Sequence, residues 1–145
     1  MRLTLYTDYA LRVLMQAALR QPEPVTINEV ATAYGVSRNH LVKVVQDLAQ
    51  HGFLITRRGI GGGFMLGLPA ETISVGDVVR FTETDDHVID CANRNNEACR
   101  IAPVCRLKGV LAEAAAAFFQ VLDRYTVADL VKRETEMKKL LGMSL

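Results

Sequence analysis

The chain has 145 residues, half of them hydrophobic and none tryptophan, which suits one domain with an aliphatic core or a small module with an extension. It has no apolar run of the roughly eighteen residues that a membrane-spanning helix needs, and no Ser/His/Asp or paired-carboxylate constellation that would mark an enzyme. The net charge of +1 hides an asymmetry: residues 1–70 hold seven basic and four acidic side chains, residues 71–145 ten and twelve. A basic first half is a weak pointer to a nucleic-acid partner.

The opening stretch, MRLTLYTDYALRVLMQAALRQ, is broken by Asp8 and Arg12, and no small-residue cleavage site follows. It reads as a structural helix rather than an export signal, so a cytoplasmic protein is expected. Its periodicity predicts a helix from about Thr7 to Arg20, with Ala10, Leu14, Ala17 and Ala18 on the buried stripe and Pro22 and Pro24 ending it. Capping-box patterns, a hydroxyl followed three positions later by an acid, mark helix starts at Thr26 with Glu29, Ser74 with Asp77 and Thr126 with Asp129. A weaker variant stands at Ser37, where His40 replaces the acid.

A short helix is predicted over Ile27 to Tyr34, then a turn at Gly35 and Val36, then a longer helix from Ser37 to about His51. Leu41, Val44, Val45 and Leu48 recur at helical spacing on the longer helix, and Arg38, Asn39, Lys43 and Gln46 fall on its other face. Two helices joined by a tight glycine-containing turn, the second with a polar outer face, form a helix-turn-helix.

The period changes after Gly52. Phe53 to Thr56 and Phe64 to Leu66 read as strands around Arg57-Arg58-Gly59-Ile60-Gly61-Gly62-Gly63. A glycine-rich hairpin with paired arginines beside a helix-turn-helix reads as a wing, the arginines meeting phosphate or the minor groove. A nucleotide-binding loop is the poorer fit, because neither the third glycine of a dinucleotide fingerprint nor the Lys-Ser/Thr of a P-loop is present. Val75 to Phe81 reads as a short helix, and little regular structure is legible from Glu83 to Pro103. Val104 to about Tyr125 then forms the longest helix, with Leu107, Leu111, Ala114, Phe118 and Leu122 in one stripe and a short helical tail over 126–141. That stripe suits pairing with a second copy, the usual arrangement for motifs that read two half-sites.

The three cysteines, Cys91, Cys99 and Cys105, follow a C-x7-C-x5-C spacing. An odd number cannot all pair in disulfides within one chain, and clustered thiolates suit a soft metal or an iron–sulfur cluster. Zinc fits less well, since structural zinc sites usually take four ligands with pairs about two to four residues apart; a metal-free thiol sensor is the other alternative. Cys105 falls at the start of the long helix, where the helix dipole favours an anionic group, and Arg100, Arg106 and Lys108 add positive charge. The fourth ligand is open among His87, Asp85, Asp86, Asp90 and Glu97 in the same stretch. Asp8, four residues before Arg12, reads on its own as an ordinary acid at a helix start.

MRLTLYTDYALR, YGVSRNHLVKVV, RRGIGGGFMLGLPA, ISVGDVVRFTE, CRIAPVCRLK and YTVADLV together span almost the whole chain. In these segments the sequence resembles the winged-helix iron–sulfur repressors of the IscR, RirA and NsrR type, and among them the nitric-oxide-sensing branch. The resemblance implies a mainly α fold with a small β-hairpin: a winged helix-turn-helix over 1–82, a cluster-binding loop over 83–104, and a dimerisation helix with its tail over 104–145. It implies an iron–sulfur cluster, [4Fe-4S] before [2Fe-2S], held by Cys91, Cys99 and Cys105 with Asp8 as an oxygen ligand from across a homodimer. It implies a non-enzymatic repressor that binds palindromic double-stranded operator DNA and releases it when nitric oxide nitrosylates the cluster. The expected DNA contacts are Ser37, Arg38, Asn39, His40 and Lys43 on the recognition helix, and Arg57, Arg58, Gly61 and Gly62 on the wing. Two rivals stand beside this reading: an iron-responsive repressor, which the x7 spacing also resembles, and a small iron–sulfur electron-transfer or redox protein.

Overall fold

The computed structural model describes residues 3–83 and 99–143. In chain order the elements are α1 (Leu5–Arg20), α2 (Ile27–Tyr34), α3 (Arg38–Gln50), β1 (Leu54–Arg57), β2 (Gly63–Leu66), a 3-10 turn (Ala70–Thr72), α4 (Val75–Thr82), a second 3-10 turn (Ala102–Val104), α5 (Arg106–Leu122), α6 (Val127–Leu130) and α7 (Glu134–Leu140). This is the mainly helical architecture with one antiparallel hairpin that the sequence leads one to expect.

α1 is the central rod and packs against α2, α3, β2, α4 and α6. Ala10, Val13, Leu14 and Ala17 recur at steps of three and four, so one face of the helix is shut away from water. Leu41, Val44, Val45 and Leu48 of α3 close over it. Each leucine or valine buried in this way contributes about 1.5–3 kcal/mol. α1 begins at Leu5 rather than Thr7: Thr4 is its N-cap and accepts from the Thr7 N–H at 3.3 Å, while Thr7 is fully buried.

The box at Thr26 forms as its spacing indicates, each partner bonding the other's backbone N–H, and α2 ends on Gly35 at φ 63°. The Thr126 box also forms; Lys132, together with the Thr126 cap, pulls the Asp129 carboxyl down to about 2. The other two are incomplete. Ser74 accepts from the Asp77 N–H, but the Asp77 carboxylate lies against Arg80 at 3.4 Å. Ser37 caps α3 by position with no side-chain bond, and His40 lies against Tyr9 with ring centroids 6.1 Å apart.

The hairpin pairs Leu54 with Leu66 and Arg57 with Gly63, one residue later in the first strand than expected, because Phe53 is spent on the turn out of α3, donating its N–H to the Leu48 carbonyl at 3.0 Å. Val25 and Phe64 exchange two backbone hydrogen bonds of 2.8 Å, which seats β2 against the segment leading into α2. α5 starts at Arg106 rather than Val104 and has no buried residue. The predicted tail is two helices, and its first returns to the core: Val127 is fully buried and donates its N–H to the Ile73 carbonyl at 2.9 Å.

A side chain at position 63 would start 2.4 Å from the Val25 carbonyl oxygen. Gly63→Ala should therefore break the Val25–Phe64 pairing and cost about 1–3 kcal/mol. The check is the midpoint of urea unfolding, which should fall; an unchanged midpoint would contradict this account of the seam.

Candidate nucleic-acid interface and thiol site

Ser37, Arg38, Asn39, His40 and Lys43 are all exposed along the N-terminal half of α3, the face left when its apolar stripe turns inward. Arg38 Nε donates to Asn28 Oδ1 at 3.0 Å, so α2 holds the arginine in place. Lys43 sits 3.1 Å from Asp47 Oδ2. Asp47 also accepts the Tyr6 hydroxyl, reaching across from α1. The Tyr6 hydrogen bond, and after it Lys43, lowers the Asp47 carboxyl below the usual carboxylate range. Burial, and then Asp47, keeps the Tyr6 hydroxyl protonated well above the usual tyrosine range. Asn28, Asp47 and Tyr6 are absent from the residues singled out in the sequence. The i,i+4 spacing of Lys43 and Asp47 was a readable local signal; nothing local signals Tyr6.

Arg57 and Arg58 are exposed at the end of β1. Gly59 and Gly61 take φ 97° and 73°, values an L side chain adopts only with strain. A Cβ at Gly62 would meet the Arg57 carbonyl oxygen at 2.4 Å. The glycines thus let the tip curl tightly, leaving Ile60 fully exposed at its apex. Arg38 lines one cleft of about 240 Å³ with Thr56, Gly63 and Phe64, so the start of α3 and the hairpin border the same surface.

Of the expected thiol ligands, Cys91 lies outside the described residues, as do Asp85, Asp86, His87, Asp90 and Glu97. Cys99 and Cys105 are both free and part-exposed. Cys105 is the N-cap of α5, just before its first turn, and its side chain makes no capping bond. Two free soft thiols, one at the start of α5 and one six residues before it, with Arg100, Arg106 and Lys108 adjacent in sequence, are ligands of the chemistry an iron–sulfur cluster takes. Asp8 lies on the first turn of α1, 2.9 Å from Arg12 Nε, in a charge contact whose angle makes no hydrogen bond. Its side chain is 42% exposed, so it is open to a ligand from outside its own helix. Among the described residues no three His, Cys, Asp or Glu side chains converge.

Two contacts frame this region. Glu83, the last described residue of α4's exit, accepts from the Thr4 N–H at 2.8 Å, the Thr4 hydroxyl at 3.0 Å and the Thr7 hydroxyl. Arg80 makes a bidentate pair with Asp123 at 2.7 Å on both arms and lies 4.6 Å over the Phe119 ring, joining α4 to the end of α5. Gly76 makes room for that joint, since a Cβ there would lie 1.8 Å from Asp123 Oδ1.

Burial alone would raise the Glu83 carboxyl, but the Thr7 and Thr4 hydrogen bonds outweigh it and hold it below the usual range. A depressed carboxyl contributes stability above its unfolded pKa and loses it as pH falls through the folded value. The urea-midpoint difference between the native chain and Glu83→Gln should be full at neutral pH and shrink on acidification below about 4.3, the ordinary glutamate value. A difference that holds constant down to acid pH would show that the charge plays no part.

Residues 3–133 match the Rrf2 family, described as "Iron-dependent Transcriptional regulator". The chain is 49% identical over 144 residues to the HTH-type transcriptional regulator NsrR of Bacillus subtilis, covering 99% of both chains. It is 42% identical over 143 residues to the protein of the same name from Bacillus licheniformis, covering 98% of this chain and all of that one. Among solved structures, IscR of T. potens superposes with a TM-score of 0.75 at 23% identity, covering 94% of this chain and 90% of the other. CymR, the global cysteine regulator of B. subtilis, gives 0.74 at 23%, covering 92% and 98%; at that identity both likenesses speak for the fold alone. The chain belongs to the Rrf2 family of transcriptional regulators and is not an enzyme.

Proposed function

We propose that this chain is a nitric-oxide-sensing repressor that binds a palindromic operator as a homodimer carrying an iron–sulfur cluster. The observation that carries the reading is the C-x7-C-x5-C cysteine set in a chain that matches regulators named NsrR end to end. On DNA, α3 enters the major groove, with half-sites one helical turn, about 34 Å, apart. Arg38 reads guanine and Asn39 adenine, the pairings their donor and acceptor patterns favour. Ser37, His40 and Lys43 hold the same groove, and Arg57 and Arg58, with the backbone of Gly61 and Gly62, grip the flanking phosphates or minor groove. As a regulator of DNA the protein works in the cytoplasm; no helix among the described residues is long and apolar enough to cross a membrane.

The second copy is argued from α5. Seventeen residues of largely apolar helix with none buried are costly to leave in water, and Leu107, Val110 and Val121 are exposed along it. Pairing with the same helix of a second chain covers them in an isologous interface.

Cys91, Cys99 and Cys105 would hold the cluster, with Asp8 of the other subunit as fourth ligand; [4Fe-4S] is the preferred form and [2Fe-2S] the alternative. When bound, the cluster supplies reactivity toward nitric oxide and a fixed node for its ligands. The protein's part is to place those ligands at a junction. Cys99 and Cys105 lead into α5, the segment containing Cys91 leaves from Glu83, and Glu83 is tied to Thr4 and Thr7 on the turn of α1 that carries Asp8. That same helix bears Tyr6 and Tyr9, which rest on Asp47 and His40 of α3. A shift of the first turn of α1 therefore alters how α3 is presented. A hundredfold loss of operator affinity needs a coupling of only about 2.7 kcal/mol, within the range of one or two charge-assisted hydrogen bonds.

Two experiments test this. With protein purified anaerobically, iron and sulfide counted, and an operator selected from a random-sequence pool, nitric oxide should bleach the visible absorbance and release the operator in parallel; bleaching with DNA still bound would overturn the sensing role. Running iron chelation beside it separates the iron-responsive alternative, which the family's "iron-dependent" description favours. Asp8→Ala should change the visible spectrum or the rate of reaction with nitric oxide, whereas identical spectra and rates would remove Asp8 from the ligand set.

A further inference from the structure

Lys43 does not face solvent as a free cation. Its ammonium lies 3.1 Å from Asp47 Oδ2 and 3.4 Å from Oδ1, although its side chain is 73% exposed. Asp47 is the better shielded partner at 24%. An exposed i,i+4 pair on its own is held weakly. This one is different because the carboxylate is also anchored from a second element: the Tyr6 hydroxyl of α1 donates to Oδ2 across a sequence separation of 41 residues. Lys43, Asp47 and Tyr6 line one open cleft together with Thr4, His51 and Phe81. A fixed negative charge thus stands within ion-pair distance of a lysine on the face that meets DNA, and it competes with phosphate for that lysine.

We propose that Asp47, oriented by Tyr6, is a positioning residue that withholds Lys43 from the DNA backbone and so limits the sequence-independent part of DNA binding. The inference rests on the placement of α3 on DNA given above. Phosphate contacts supply affinity for any duplex, whereas Arg38 and Asn39 at the base edges supply discrimination. Neutralising one lysine on this face lowers binding to all DNA and leaves the base-reading residues untouched, which favours the correct site over the excess of wrong ones. Asp47→Asn suits the test: the amide oxygen still accepts the Tyr6 hydroxyl, so the packing of α1 on α3 is retained and only the charge is lost.

The experiment measures binding of the cluster-loaded full chain to a short random-sequence duplex at salt concentrations from about 50 to 200 mM, for the native protein, Asp47→Asn, Lys43→Ala and the double variant. Each phosphate gained or lost changes the slope of log affinity against log salt by about 0.9. Asp47→Asn should bind the random duplex roughly 3- to 10-fold more tightly at the low-salt end and lose about 3.5-fold more affinity across the range than the native protein does. Lys43→Ala should flatten the slope by much less than that increment, because the native lysine is already largely withheld, and adding Asp47→Asn to it should then change nothing. If Lys43→Ala flattens the slope but Asp47→Asn leaves it at the native value, the inference fails and the placement of α3 stands. If Asp47→Asn steepens the slope equally with alanine at 43, Asp47 acts as a general surface charge and the inference also fails. If neither Asp47→Asn nor Lys43→Ala changes the slope, Lys43 meets no phosphate even when released, and the assignment of this face fails together with the inference.

Discussion

Three hydrogen bonds onto one carboxylate, Glu83, fix where α1 starts relative to where α4 stops. Everything proposed for this molecule passes near that point. The segment that carries Cys91 begins in sequence directly after Glu83; immediately after Thr7 on α1 comes Asp8; and the same α1 turn reaches α3 through Tyr6. Buried hydroxyls extend the tie inward, since the Thr7 hydroxyl oxygen lies 2.8 Å from that of Thr82, whose single proton can go either to Thr7 or to the Val78 carbonyl at 2.9 Å. A network satisfied from several sides has discrete arrangements rather than a continuum of them, which is what a switch requires.

The two halves of the proposed function then rest on different physics. Recognition depends on a rigid surface, built by the apolar stripes of α1 and α3 and by the seam between Val25 and Phe64. Regulation depends on a few polar contacts at the edge of that core, strong enough together to hold one arrangement and weak enough to be lost on a signal. The Arg80–Asp123 pair belongs to the second group. It is bidentate, stacked on Phe119 and made possible by Gly76, and it sets the direction in which α5 leaves the winged domain. Since α5 is the proposed dimer helix, that direction governs the spacing of two α3 helices in a dimer.

What was legible in the sequence was local. The Thr26 and Thr126 caps lie within four residues of their partners, and the stripe of α3 repeats within its own helix, so both were readable in outline. The start of α1 was misjudged because the acid that completes its cap, Glu83, is 79 residues from Thr4. The Tyr6–Asp47 and Arg80–Asp123 contacts span 41 and 43 residues and leave no local periodicity to find. The glycine at 76 reads as a poor helix former until the Asp123 carboxylate is seen in the space its side chain would fill. For the site, the exposed residues of α3 and the wing followed from the inward-facing pattern, whereas Asn28, Asp47 and Tyr6, which hold those residues in place, emerged only from the fold. Asp8 and Cys105 were identifiable as residues, but whether they share one cluster depends on a second chain, which no spacing in one sequence encodes.

The central claim is that the first turn of α1 carries the state of the cysteine segment to the recognition helix. Amide hydrogen exchange on the anaerobic, cluster-loaded protein, before and after nitric oxide, tests it most directly. The account predicts that protection of the Thr7 and Asp8 amides, which bond to Thr4, falls together with that of α3 and with the loss of operator binding. Operator release with the exchange of that turn unchanged would contradict it.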